Sequence, residues 1–199
     1  MRSGIEQLDA AEIAARLARI SSLESGADEM APSTPSVDAA VLVPLINRAS
    51  MSLLFTQRAA HLKAHAGQAS FPGGRREPAD RSLIDTALRE TEEEVGLDRS
   101  QVQVLGQLPP YRTVTGFRVT PIVGWIEPEL QLTLDPGEVD RVFEIPLAIA
   151  LSPSHLIRQS AIYKGKRRHY HVVKHEDNVV WGATAGMLLS LQEALWQFA

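Results

Sequence analysis

The sequence predicts an α/β protein, specifically an α/β/α sandwich around a mixed β-sheet. Three observations predict it. Apolar runs of strand length recur from residue 39 onward, an amphipathic helix sits among them at mid-chain, and further amphipathic helices open and close the sequence. At 199 residues and 44% hydrophobic content, the chain can build one good-sized core and not two. A single domain follows.

Residues 8–20 place Leu8, Ile13, Leu17 and Ile20 near one side of a short helix. That face can pack back on the domain or on a second subunit, which leaves a homodimer open. Residues 21–36 are rich in Ser, Pro and Gly and read as a flexible linker, so residues 1–36 form an N-terminal helix and linker and residues 37–199 the folded domain. Residues 39–46 and 52–58 are apolar strands joined by a polar turn at Asn47-Arg48, a hairpin feeding the sheet. A polar, basic loop over residues 59–70 carries His61, Lys63 and His65 and leads into Pro72-Gly73-Gly74, a turn in which glycine tolerates positive φ. A helical pattern then runs from about Arg81 to Val95 and stops at Gly96.

Past this helix, residues 102–108 and 117–126 are strand-like, with Pro109-Pro110 ending the first. Between them, Tyr111 and Phe117 flank a glycine-bearing loop and are candidates for stacking on a substrate ring. Residues 138–147 make an edge-like or bent strand with Glu138 at its entrance. Residues 155–175 read as a strand pair around a basic turn, Lys164 to Arg168. His169 and His171 share a strand face there, but no third ligand completes a metal site, and a solvated hairpin is the reading. A closing helix spans Thr184 to Phe198 and buries Met187, Leu188, Leu191, Leu195 and Phe198.

The chemistry concentrates on the mid-chain helix. Glu90, Glu93 and Glu94 are spaced i,i+3 and i,i+4 and share one face, while Ile84, Ala87, Leu88, Thr91 and Val95 fall on another. Like charges at i,i+4 cost a few tenths of a kcal/mol each, so a helix built for stability alone would scatter them. A cation belongs there. An oxygen-only ligand set without Cys or His suits a hard divalent ion, Mg²⁺ or Mn²⁺, rather than zinc. Arg89 lies one turn before Glu93 and can hold it in register, and Arg58, Lys63 and His65 on the preceding loop become candidates for substrate phosphates.

Gly74 followed by Arg89-Glu90-Thr91-Glu92-Glu93-Glu94-Val95-Gly96-Leu97 resembles the Nudix box, G-x5-E-x7-R-E-U-x-E-E-x-G-U with U aliphatic. Asp80 stands in place of the first Glu of the box, one extra residue separates it from Arg89, and Thr91 replaces an aliphatic residue. Upstream, Leu53-Leu54-x-Thr56-x-Arg58, Lys63, His65, Gly67-Gln68 and Phe71-Pro72-Gly73-Gly74 resemble the extension of the coenzyme A pyrophosphatase branch of that family. The resemblance implies a Nudix-like sandwich and metal-dependent hydrolysis of coenzyme A and its derivatives. It implies Glu90, Glu93 and Glu94 as metal ligands. One of them, or Glu138 with Glu144 as the fallback, would serve as general base. Gly73 and Gly74 let the backbone approach substrate. A Nudix pyrophosphatase for ADP-ribose, dinucleotides or nucleoside triphosphates is the alternative, and a non-catalytic nucleotide-sensing module is the second. Retaining three mutually repelling carboxylates weighs against a sensor.

Composition narrows the remaining classes. A net charge of -4 with mixed signs argues against nucleic-acid binding through a basic surface, and the absence of cysteine excludes disulfides and thiolate chemistry. No apolar run approaches the roughly 18 residues of a membrane span, and no basic-then-apolar signal opens the chain, so a soluble, cytoplasmic protein acting on a small molecule is expected.

Overall fold

A computed structural model describes residues 8–20, 37–163 and 165–196. The linker read over residues 21–36 and the last turn with Phe198 lie outside them. Eleven strands and four helices are seen among the described residues: α1 (Ala10–Ile20), β1 (Val37–Ile46), β2 (Ser52–Arg58), β3 (Ala69–Ser70), β4 (Gly73–Arg75), α2 (Leu83–Val95), β5 (Val102–Gln107), β6 (Tyr111–Arg112), β7 (Phe117–Ile126), β8 (Val139–Pro146), α3 (Leu147–Ala150), β9 (Ile157–Tyr163), β10 (Lys166–His175), β11 (Asn178–Trp181) and α4 (Ala183–Trp196).

The main sheet is mixed. Its path is β3-β2-β1-β7-β5, with β4 added to β1, β6 to β7 and β8 to β2. β1 and β7 run parallel over their full length, Val37 beside Phe117 and Ile46 beside Ile126, and the other pairings are antiparallel. β1 reads as a nearly unbroken apolar run because both of its faces are covered. On one face Ala39, Val41, Val43 and Leu45 join a core with α1 and α4, and on the other Ala40, Leu42 and Ile46 pack with Ala87 and Val95 of α2. Sheet between helices is the sandwich the sequence predicts.

The predicted hairpin is present, with Leu45 opposite Leu53. α1 packs back on the domain: Ile13, Leu17 and Ile20 are buried in the α4-side core, Leu17 lies against Gly106, and the Arg16 guanidinium donates to the Leu195 carbonyl. A separate antiparallel sheet, β11-β10-β9, flanks α4. Here the sequence reading needs two corrections. Arg167 and Arg168 belong to β10 rather than to the turn, and Trp181 ends an unforeseen strand, β11, before α4 begins. α4 itself carries Met187, Leu188, Leu191 and Leu195 into the core, as expected.

α2 is fixed at both ends. The Ser82 hydroxyl accepts the Asp85 N–H at 3.1 Å, and Gly96, at φ 68°, returns its N–H to the Glu92 carbonyl at 3.0 Å. The buried face differs from the sequence reading. Ile84 is 38% exposed, whereas Thr86 and Glu94 are buried alongside the expected Thr91. Thr91 replaces an aliphatic residue at no polar cost, because its hydroxyl donates to the Ala87 carbonyl at 2.6 Å.

Candidate active site

The glycine turn and α2 meet because β4 lies beside the start of β1. Gly73 pairs with Val41 and Gly74 with Ala40, and a side chain at Gly73 would run into the Ala40 carbonyl. Gly73 also has φ 148°, a conformation few side chains adopt. Only glycine lets the strand lie this close. At Gly74 the space that a Cβ would take is filled by the Glu90 carboxylate. The two positions therefore predict different outcomes on substitution. Gly73→Ala costs about 2–3 kcal/mol of stability through backbone strain and collision. Gly74→Ala displaces only the end of a side chain; a thermal melt within a few degrees of wild type, with hydrolysis slowed about 10- to 100-fold, is the expected result. Parallel melts and initial rates check both.

Glu94 is 4% exposed. It accepts the Gly73 N–H at 3.2 Å and faces the Arg58 guanidinium at 3.8 Å. Burial pushes its carboxyl up to about 8, and the Gly73 N–H and Arg58 do not offset it, while the charges of Glu138 and Glu90 push the same way. Glu90, half-buried, is likewise raised by burial against the pull of Arg89. Glu138 sits at the end of the turn before β8, its carbonyl accepting the Ala59 N–H at 2.9 Å, and its charge bears on both Glu90 and Glu94. Three carboxylates, Glu90, Glu94 and Glu138, thus act on one another beside Arg58.

Arg89 organises the other side of this cluster. Its guanidinium grips Asp80 through two bonds, Nε to Oδ1 at 2.9 Å and Nη2 to Oδ2 at 3.0 Å. It also reaches Glu90 and Glu93, each at 3.0 Å, and the Arg75 carbonyl at 3.3 Å. Asp80 is itself buried, accepts from Thr86 at 2.9 Å and from the Glu77 N–H at 2.8 Å, and is held well below the usual carboxylate range chiefly by Arg89. The extra residue between Asp80 and Arg89 and the shorter acidic side chain are thus compatible with a closed, two-pronged pair. The sequence signal for Asp80 was its place in the box; its role as an anchor became visible only with the loop folded.

The remaining predicted residues fall into two groups. Lys63 and His65 lie on the exposed loop between β2 and β3, where His65 has φ 58° and its Nδ1 is 2.8 Å from the Gln68 amide oxygen. His61, from the same loop, ties it to the Glu138 turn through Nε2 and the Gly137 carbonyl at 3.1 Å. Glu93 is 60% exposed at its side chain and turned to Arg89, so it stands at the rim rather than beside Glu94. Two readings are corrected. Tyr111 is buried in the α4-side core, its ring filling the space over Gly186, and Phe117 packs against that same core, on the sheet face away from α2. Neither ring lines the carboxylate groove. Glu144, the fallback base, is committed to Arg48 by two bonds, at 2.8 and 2.7 Å, and to the Ser52 hydroxyl.

Among the described residues, no three Asp, Glu or His side chains form a ready-made cation cage, since Arg89 occupies the space between Glu90 and Glu93. The donor set nonetheless fits a hard divalent ion. Glu94 is a buried carboxylate with too little positive charge around it to stay ionised at neutral pH, Glu90 adjoins it, and every available donor is oxygen.

The NUDIX domain model matches residues 37–164, more than half the chain. An uncharacterized Nudix hydrolase, NudL, of Photorhabdus laumondii is 44% identical over 155 residues, covering 78% of this chain and 83% of its own. A relative of the same description from Escherichia coli O7:K1 is 47% identical over 156 residues, covering 77% and 80%. Among solved structures, a C. elegans Ap4A hydrolase binary complex overlaps 58% of this chain and 83% of its own at 21% identity, with a TM-score of 0.48. This chain belongs to the Nudix hydrolase family.

Proposed function

We propose that this Nudix hydrolase cleaves the diphosphate bond of coenzyme A and its thioesters or oxidised forms, with Mg²⁺ or Mn²⁺, giving 3′,5′-ADP and 4′-phosphopantetheine or its derivatives. The observation that carries the reaction class is the buried Glu94 beside Glu90, Arg58 and the Gly73-Gly74 backbone. The substrate rests on the extension from Leu53 to Gly74 that resembles the coenzyme A branch.

Phosphoanhydride hydrolysis in water is slow because the phosphates repel the nucleophile and the leaving phosphate must take up charge. Divalent ions bound here supply charge neutralisation and a more acidic water. Glu90, Glu93 and Glu94 would hold the cation. Arg58 pairs with Glu94 before substrate arrives and with a phosphate oxygen afterwards. Water oxygen forms a bond to one phosphorus while the bridging P–O bond breaks, and the departing phosphate keeps the bonding electrons. The water's proton passes to a carboxylate of this set; in this reading Glu138, whose charge bears on both Glu90 and Glu94, takes it.

Incubated with Mg²⁺ or Mn²⁺, the purified protein is expected to release 3′,5′-ADP from coenzyme A. Lys63→Ala is expected to impair coenzyme A far more than its 3′-dephospho form, by about tenfold in the ratio of kcat/KM, if this cation reads the 3′-phosphate, whereas Arg58→Ala, which removes a contact to the shared diphosphate, is expected to impair both alike. Cleavage of ADP-ribose or a dinucleotide with coenzyme A untouched would transfer the assignment to another Nudix substrate. Tight nucleotide binding without product over hours would make the protein a sensor. Among the described residues no helix is long and apolar enough to cross a membrane.

A further inference from the structure

A second feature on the α2 face of the sheet lies outside the carboxylate cluster. It is an open groove of about 370 Å³ whose lining includes Leu54 of β2, Val142 of β8 and Leu130 and Leu132 of the loop before β8, closed at one end by the Arg48–Glu144 pair. Thr56 pairs with Val142 and Leu54 with Glu144, so the floor is a patch of two adjacent strands. The end pair is internally satisfied, Glu144 accepting from Arg48 and Ser52, and Arg48 also reaches the Pro128 carbonyl at 3.4 Å. The walls offer apolar surface and no free charge.

Both sides of the groove lead to the carboxylates. Along β2, Leu54 and Arg58 lie on the same face four residues apart, about 13 Å at roughly 3.3 Å per residue. Along the opposite wall the loop runs from Leu130 and Leu132 to Asp135, whose N–H donates to the Glu94 carbonyl at 3.0 Å, and on to Glu138. A substrate whose diphosphate sits at Arg58 and Glu94 therefore has the strand and the loop that line this apolar groove leading away from it, and the basic loop with Lys63 follows Arg58 in the chain.

We infer that this groove receives the pantetheine arm of the substrate, with the thiol or thioester end toward Leu132 and the Arg48–Glu144 pair, while the 3′-phosphoadenosine half lies toward the basic loop. The inference rests on the coenzyme A reading above and adds the direction in which the substrate lies. A neutral arm of two amides and short methylene runs matches apolar walls, and its backbone is comparable to four or five extended residues, about 13–18 Å. The phosphorylated nucleoside half carries charge that this end, with Arg48 already committed to Glu144, does not offer to neutralise.

The sequence contains no cysteine, which permits a direct test. In Leu132→Cys, the introduced thiolate attacks one sulfur of coenzyme A disulfide; a new S–S bond forms, the old one breaks, and coenzyme A leaves as a thiolate that takes a proton from water. Val179→Cys, 43% exposed on the other sheet, is the control, and glutathione disulfide calibrates the intrinsic reactivity of each thiol. The reaction is followed by protein mass with Mg²⁺ present, at early times, counting adducts of coenzyme A or of 4′-phosphopantetheine. After calibration, labelling at position 132 is expected to be faster than at 179 by about tenfold or more, because binding raises the local disulfide concentration. A calibrated ratio near one, in conditions where wild type releases 3′,5′-ADP from coenzyme A, overturns the groove assignment alone. Absence of that release in wild type overturns the coenzyme A reading, and the groove assignment with it.

Discussion

Glu94→Gln is expected to do two opposite things: to slow hydrolysis by about two to four orders of magnitude, and to make the metal-free protein more stable. The loss of rate follows from the proposed role of the buried Glu94 in holding the cation. The gain in stability follows from the same burial. In the folded protein the Glu94 carboxyl is pushed up to about 8 from an ordinary value of 4.5, so the folded state keeps a proton that the unfolded chain has released. The stability linked to this site is therefore complete below about pH 4.5 and is lost as the pH rises through about 8. Glutamine carries no charge to desolvate. At pH 8 in chelator, Glu94→Gln is expected to melt higher than wild type by about 3–6 °C, a gain of roughly 1–2 kcal/mol, and the difference should shrink toward pH 5. Divalent cation should raise the wild-type melt and release protons, with little effect on the variant. Melts across pH, with and without Mn²⁺, check all three. A variant that is both fully active and no more stable would mean that Glu94 neither holds a cation nor bears the cost of burial.

Asp80→Ala is expected to be the most destabilising single change at the site. Asp80 is buried under two bonds from Arg89, one from Thr86 and one from the Glu77 N–H, and removing it strips the guanidinium of its two-pronged partner, leaving Glu90, Glu93 and the Arg75 carbonyl. Breaking a pair of this kind costs about 3 kcal/mol or more, a fall of roughly 6–12 °C for a chain of this size. Because the Asp80 carboxyl is held well below its ordinary 3.8, the pair contributes fully above that pH and is lost as the pH falls further. The penalty should accordingly be present at pH 7 and fade in strong acid. Rate should fall as well, since Arg89 also sets Glu90 and Glu93. Asp80→Asn, which keeps shape and loses charge, separates the ion pair from the packing. A denaturant titration that finds Asp80→Ala within 0.5 kcal/mol of wild type, about the scatter of a surface change, would contradict this anchoring role.

Much of this arrangement was legible in the residues. β7 matches the apolar run 117–126 end for end, α1 buries the stripe its spacing picks out, and α2 ends at the glycine that its left-handed turn requires. These features are written in local periodicity and cap chemistry. What escaped is set by distant partners. β3 and β4 are too short to show alternation and exist because β2 and β1 pair with them. Thr86 and Glu94 are polar yet buried, because Asp80 and the Gly73 N–H arrive from elsewhere in the chain to satisfy them. Tyr111 reads as a candidate for stacking on a substrate ring, but a glycine 75 residues away in α4 makes room for its ring in the core. The three glutamates share a helix face by spacing, whereas their burial grades from Glu94 inward to Glu93 at the rim, which spacing alone does not reveal.

The most direct measurement of the central claim is anomalous diffraction from crystals soaked in Mn²⁺. The account predicts a peak bonded to Glu94 with Glu90 in its coordination shell, at about 2.0–2.3 Å, and loss of that peak in Glu94→Gln. A well-ordered Glu94 still bound only to Gly73 and Arg58, with Mn²⁺ found elsewhere or nowhere while the enzyme hydrolyses its substrate in the same solution, would contradict it.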